Sequence, residues 1–219
     1  MVVGLHRCRN DNFHLRGDAI MNVLLRNVPL YLVLLAALVN LVRRQWIVNL
    51  VALTVQFLFL FPIVRSILPL ELALIQPFTG LMVTLILYLT LMNVGGIEPG
   101  NLIIRPSSGE IFRGLSGLLL LAMLYTFLPS LQQEVFPLVS SDHLYLGIGL
   151  ILLGLMQLGT IREPFYLSIG ILTFLSGFQL LYYGLDYSFL LEALLVAVNL
   201  LLAIVGAFFI VKNAESTIT

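Results

Sequence analysis

The chain has 219 residues, 60% hydrophobic and only 10% charged, and its eleven basic and eleven acidic side chains cancel. Soluble domains carry roughly 45–50% apolar and about 25% charged residues, and a globule of this size has too little interior to hide the excess. A soluble fold, a disordered chain and a disulfide scaffold are therefore excluded, as is a basic nucleic-acid surface; what remains is an all-α, polytopic membrane helical bundle.

The first segment, 1–23, is polar. It holds the single cysteine, Cys8, so neither a disulfide within the chain nor a cysteine-based metal site is expected. His6, His14 and His143 are too scattered for a metal cluster. The tail lacks the apolar core of a signal peptide. It is expected either to be disordered or not to be made, with translation starting at Met21.

Charges punctuate the rest, because each costs roughly 2.5–3.5 kcal/mol at the centre of a spanning helix. Uncharged runs cover 27–42, 45–64, 72–97, 114–133, 143–161, 164–185 and 193–211. A span needs about 20 residues, within a range of roughly 17–25. Six runs qualify outright. The first is short, but Arg43 and Arg44 can snorkel and extend it. The reading is seven spans; the alternative is six, with the first segment lying at the interface.

The organisation follows in order. A three-helix unit over 24–97 leads into a polar loop over 98–113, rich in Gly, Pro, Ser and charge. A linking span over 114–133 then leads to a second three-helix unit over 143–213. In this 3+1+3 arrangement, one side carries Arg43, Arg44, Arg105, Arg113, Arg162 and Lys212, against Arg26 and Arg65 on the other when the tail is left out. That bias predicts a cytoplasmic C-terminus. With Arg7, Arg9 and Arg16 of the tail included, the two sides nearly balance. The two units share a layout: Arg43-Arg44-Gln45-Trp46 corresponds to Arg162-Glu163-Pro164-Phe165, each followed by a turn, a helix, a short loop and a helix. Residue identity between them is low, so the repeat is architectural. Repeats of this sort are common in membrane transport folds.

Polar side chains inside spans face other helices or a water-filled path. Helical periodicity groups Asn49, Ala52 and Gln56 in the second span, and Gln76 with Gly80 in the third. Tyr166, Gly170, Thr173 and Gly177 share a face of the sixth, with Gln179 nearby. The seventh carries Glu192, Val196, Asn199, Ala203 and Gly206. Packing is the ordinary use of such stripes. A proton or ion path is the functional one, and it calls for ionisable groups near mid-membrane, where this chain has none. Glu192 and Asn199 are the candidate path residues, about 10 Å apart along the helix axis. Asn49, Gln56, Gln76, Thr173 and Gln179 are the candidate interface residues. For Glu192 two readings stay open: a functional intramembrane acid, or a partly solvated carboxylate that the helix dipole favours.

Pro62, Pro77 and Pro129 sit inside apolar spans and are expected to kink them. Pro164 is expected to open the sixth helix. His143 reads as an interface residue, and Trp46, Phe136, Tyr182 and Tyr183 suit interfacial belts. No phosphate loop, nucleophile elbow, metalloprotease motif or dinucleotide glycine pattern occurs, so catalysis by the chain alone is not expected and no cofactor is implied.

The run Leu150–Leu158, the turn Arg162-Glu163-Pro164, Gly170 and Gly177, and Leu190-Leu191-Glu192 before an aliphatic stretch ending at Lys212 resemble the three-helix K-type subunit of respiratory complex I. The whole layout over 24–213 is more similar to component E of formate-hydrogenlyase-type membrane hydrogenases, a group to which the corresponding small component of multisubunit cation/proton antiporters also belongs. The resemblance implies an integral subunit of a prokaryotic plasma-membrane assembly. Such a subunit packs against large antiporter-like membrane subunits, embedded in the lipid bilayer, and helps couple electron transfer to proton or cation translocation. Subunits of the K type carry acids inside their second and third helices. Here Leu175 stands near the first position and Val198 or Asn199 near the second; only Glu192 matches a family acid. The rival readings are a stand-alone small transporter and a membrane scaffold.

Overall fold

The computed structural model describes residues 28–94, 108–134, 139–185 and 188–218. The tail 1–23, the Met21 start, Phe136 and most of the 98–113 loop lie outside the described residues. Every regular element among them is a helix: α1 (Val28–Val42), α2 (Trp46–Arg65), α3 (Leu70–Ala73), α4 (Ile75–Asn93), α5 (Ser108–Glu134), α6 (Ser141–Thr160), α7 (Pro164–Leu185) and α8 (Phe189–Ile218). With α3 and α4 taken together as Leu70–Asn93, six helices are long and apolar enough to cross a membrane.

The shorter α1 spans about 22 Å at 1.5 Å per residue, yet it does not lie across the bundle. Val42 at its end neighbours Gly114 near the start of α5. Leu30 and Tyr31 at its beginning line a pocket with Leu128 and Pro129 near the end of α5. It therefore runs antiparallel to α5, and its buried side (Val33, Leu34, Ala37, Leu41) joins the core.

The proline expectations resolve differently at each site. Pro62 and Pro129 do sit inside α2 and α5. Pro77 lies in the first turn of α4, just after a break at Leu74 that separates α3 from α4. Without an N–H, Pro77 cannot donate to the Ala73 carbonyl, so the helix gives way there instead of bending further in. Pro164 opens α7. The polar loop is shorter than its composition suggests, because α5 starts at Ser108 with Glu110 in its first turn, where the dipole favours an acid.

The halves pack in an ordered way. α2 lies on α4 and α7 on α8; across the halves, α2 meets α7 and α4 meets α8. Leu34 of α1 reaches Gly149 of α6. Each helix of the first row thus touches the helix at the same place in the second row, and α5 closes the side formed by α1 and α6. One core cluster joins α1, α2, α3, α5, α6 and α7, a second joins α2, α4, α7 and α8, and a small third joins Leu128 of α5 with Val139 and with Leu144 of α6.

The closest approach is between α6 and α7. A Cβ built on Gly154 would lie 2.7 Å from the Phe174 nitrogen and 2.8 Å from the Gly170 oxygen; one on Gly177 would lie 2.5 Å from the Gly147 oxygen. These glycines sit seven apart, at 147 and 154 on α6 and at 170 and 177 on α7. They leave the two backbones in contact, as small residues do where lipid provides no hydrophobic drive for association.

Candidate functional site

α7 is the centre of the polar interior. Thr173, Ser176, Gln179 and Tyr183 repeat every three to four residues, so they line one face over about 15 Å. All four are buried. The neighbouring helices answer this face with polar groups of their own. Thr173 Oγ1 donates to Gln56 Oε1 of α2 at 3.5 Å, and Gln76 Nε2 of α4 donates to Gln179 Oε1 at 3.2 Å. Tyr183 stands beside Glu192 of α8 without closing a direct hydrogen bond of good geometry.

Glu192 lies in the first turn of α8. It is nonetheless only 2% exposed. The partly solvated reading fails, because α7 and its Tyr183 cover the carboxyl. Tyr183 is itself a correction: it belongs to the core and not to an interfacial belt, since the last turn of α7 packs inward against α8. Trp46 likewise packs against the second core cluster.

Asn199 is fully buried, and neither of its amide atoms has a hydrogen-bond partner among the described residues. Its level follows from the register of the α7–α8 pair. Tyr183 lies against Glu192, and Ser168 against Gly206. Asn199, midway between Glu192 and Gly206, is therefore level with Leu175 and Ser176, near the middle of α7. At the far end of α2, Asn49 Nδ2 donates to the Asn40 carbonyl of α1 at 3.4 Å.

All seven residues singled out from the sequence are thus interior. The structure pairs Gln56 with Thr173 and Gln76 with Gln179, and leaves Asn49, Glu192 and Asn199 out of those pairs. Sequence reasoning missed Tyr183 and Ser176, although both continue the 3.6-residue period of Thr173. It also missed Asn40 and Gln157; the latter donates to the Tyr166 carbonyl at 2.9 Å.

Many polar atoms of this interior have no hydrogen-bond partner among the described residues: Asn49 Oδ1, Gln56 Nε2, Gln76 Oε1, Gln179 Nε2, Tyr183 OH, Glu192 Oε2 and both amide atoms of Asn199. Each such atom costs about 1–3 kcal/mol when left dry. Buried water meets this need where several polar groups converge. The unpartnered atoms from Glu192 towards Gln56 and Thr173 are therefore the ones that ordered water would satisfy. Among the described residues no group of three or more His, Cys, Asp or Glu side chains could hold a metal.

The opposite end of the bundle is charged. Arg113 of α5 is buried and donates Nε–H to the Gly109 carbonyl at 3.1 Å. Arg44, Glu110, Glu163 and Tyr166 surround it electrostatically, which joins the α1–α2 link, the start of α5 and the α6–α7 turn. On the Glu192 side, His143 meets Ser66 at 3.2 Å and also contacts Ser140, so it seats the start of α6 on the end of α2.

Fold and interior together define a polytopic helical membrane protein with a neutral polar core and a buried carboxyl at one end of it. Comparison with known proteins finds no matching family model, no matching curated protein and no matching solved structure.

Proposed function

We propose that this chain is an integral subunit of an ion-translocating membrane assembly, of the complex-I-like, membrane-hydrogenase-like or multisubunit antiporter-like kind that its sequence resembles. In this reading it has seven spans in a 3+1+3 order, with α1 as the first, and contributes a branch of a proton or cation path. The observation that carries the reading is the line of unpartnered polar atoms from Glu192 to Gln56. Glu192 takes up and releases the proton, Tyr183 and Ser176 offer hydroxyls, and the amides orient water without carrying charge themselves. With a single acid on the path, the remainder of the relay falls to partner subunits. The broad apolar faces of α5 (Phe112, Leu115, Leu119) and α8 (Leu201, Ile204, Phe208) are where those subunits and lipid would pack.

Two experiments test this. Gentle solubilisation is expected to bring down large antiporter-like membrane subunits in fixed ratio; a chain that emerges alone overturns the subunit reading. In the intact assembly, Glu192→Gln is expected to slow proton movement into vesicles by on the order of tenfold or more, with Glu192→Asp recovering part of it. Unchanged flux in the Gln variant would leave the chain a spacer.

The orientation is testable separately. The end with Arg43, Arg44, Arg113, Arg162 and Lys212 is assigned to the cytoplasm. In a Cys8→Ser background, a membrane-impermeant maleimide is expected to label Ser66→Cys in intact cells. Thr160→Cys should react only after permeabilisation. The reverse pattern inverts the topology.

A further inference from the structure

A second feature stands apart from the polar interior, at the same membrane face as Glu192. Three tyrosines line one pocket where α1, α5 and α6 come together. Tyr125 and Tyr145 pack edge to face, with centroids 6.0 Å apart and planes at 86°. Tyr31 is their electrostatic neighbour. The three rings line a cavity of about 550 Å³ with Ser141, Asp142 and Pro129. That size falls in the range of roughly 300–1,000 Å³ typical of small-molecule sites. Tyr31 is 61% exposed and Tyr125 68% exposed, so both rings are open to a ligand.

The chemistry of the lining favours a cation. Ring faces attract ammonium groups within about 6 Å of the centroid, and aromatic cages are the usual receptors for quaternary ammonium. Asp142 supplies a carboxylate one helical turn before Tyr145, on the same side of α6. Pro129 has no N–H for the Tyr125 carbonyl, which leaves that oxygen without its helical donor at the cavity wall. The described ionisable groups at this end of the bundle are Arg65 and His143 against Glu71, Glu134, Asp142 and the buried Glu192, an acidic excess that favours cations.

We infer that Tyr31, Tyr125, Tyr145 and Asp142 form a binding site for an alkylammonium group. The group can come from a zwitterionic lipid headgroup, since the cavity lies towards the ends of α1, α5 and α6, or from a soluble choline-like cation.

The test uses the full chain in nanodiscs of phosphatidylglycerol, with radiolabelled choline as the probe. Saturable binding is expected. It should weaken about tenfold or more in the Tyr31→Leu/Tyr125→Leu pair and in Asp142→Asn, and persist in Tyr31→Phe/Tyr125→Phe, which keeps both rings. Because Tyr31 and Tyr125 are exposed, these variants leave the core intact, and circular dichroism checks that. The uncharged isostere 3,3-dimethylbutanol should not compete. Equal competition by it, or undiminished choline binding in the double Leu variant, overturns the proposal. Repeating the titration in phosphatidylcholine nanodiscs separates the sources. Loss of choline capacity, with phospholipid retained by the wild type and not by the double Leu variant, assigns the site to lipid. Unchanged capacity assigns it to a soluble cation.

Discussion

Gly177→Leu is expected to abolish the folded state. A Cβ at this position already falls 2.5 Å from the Gly147 oxygen and 2.8 Å from the Ile151 nitrogen. Those are backbone atoms, which cannot rotate away as the tip of a side chain would. The remaining leucine atoms would have to wedge α6 from α7, the tightest helix pair in the molecule. Overpacking of ordinary cores costs about 1–3 kcal/mol and sometimes more; here the expected loss exceeds about 3 kcal/mol, and the protein should leave detergent as aggregate. Gly154→Leu meets the same obstacle at Phe174 and Gly170. Gly159 is the internal control: it also lies on α6, but nothing comes within 4 Å of its added Cβ. Gly159→Ala should keep the melting temperature or raise it slightly, since alanine is favoured over glycine in a helix by at most about 1 kcal/mol. Size-exclusion profiles and thermal melts of the three variants check this. A monodisperse Gly177→Leu with an unchanged melt would refute the backbone contact.

The second large effect concerns Gln76 and Gln179. Their hydrogen bond joins α4 to α7 across 103 residues of sequence. Replacing Gln179 alone by Leu leaves a buried amide on α4 without its partner, at a cost of about 1–3 kcal/mol. Replacing both removes the need along with the bond. The double variant Gln76→Leu/Gln179→Leu is therefore expected to regain most of the lost stability, since interhelical hydrogen bonds in membranes average only about 0.6 kcal/mol. Under the proposed function, proton flux in the intact assembly should go the other way. Two apolar side chains between Glu192 and Ser176 dry the path, so proton flux should fall as far as in Glu192→Gln. Stability and flux are thus predicted to separate in the double variant. A double variant that melts low yet conducts normally would show that the pair serves packing and not the path.

Much of the interior could be read from local sequence. Each uncharged run marks a helix because hydrocarbon penalises charge wherever the chain folds. Asn49, Gln56, Gln76, Thr173, Gln179, Glu192 and Asn199 all face inward because polar stripes on a 3.6-residue period leave lipid for other helices. The glycines at 147, 154, 170 and 177 also carried a readable signal, a seven-residue spacing that marks one helix face, but a search for Gly-x-x-x-Gly alone passes over it.

What each stripe meets was not readable. Gln76 finds Gln179, and Gln56 finds Thr173, through the relative height and rotation of helices far apart in sequence. Tyr183 has an amphipathic ring that suits an interface belt equally well; only the inward turn of α7 against α8 buries it beside Glu192. Glu192 itself lies one turn from a helix end, where sequence allows either water or protein, and the covering α7 decides. Composition, charge spacing and period are properties of a single segment, and they determined the membrane class, the helices and their inward faces. Register between segments depends on close packing of backbones such as those of α6 and α7, and only the tertiary structure decided which polar groups became neighbours.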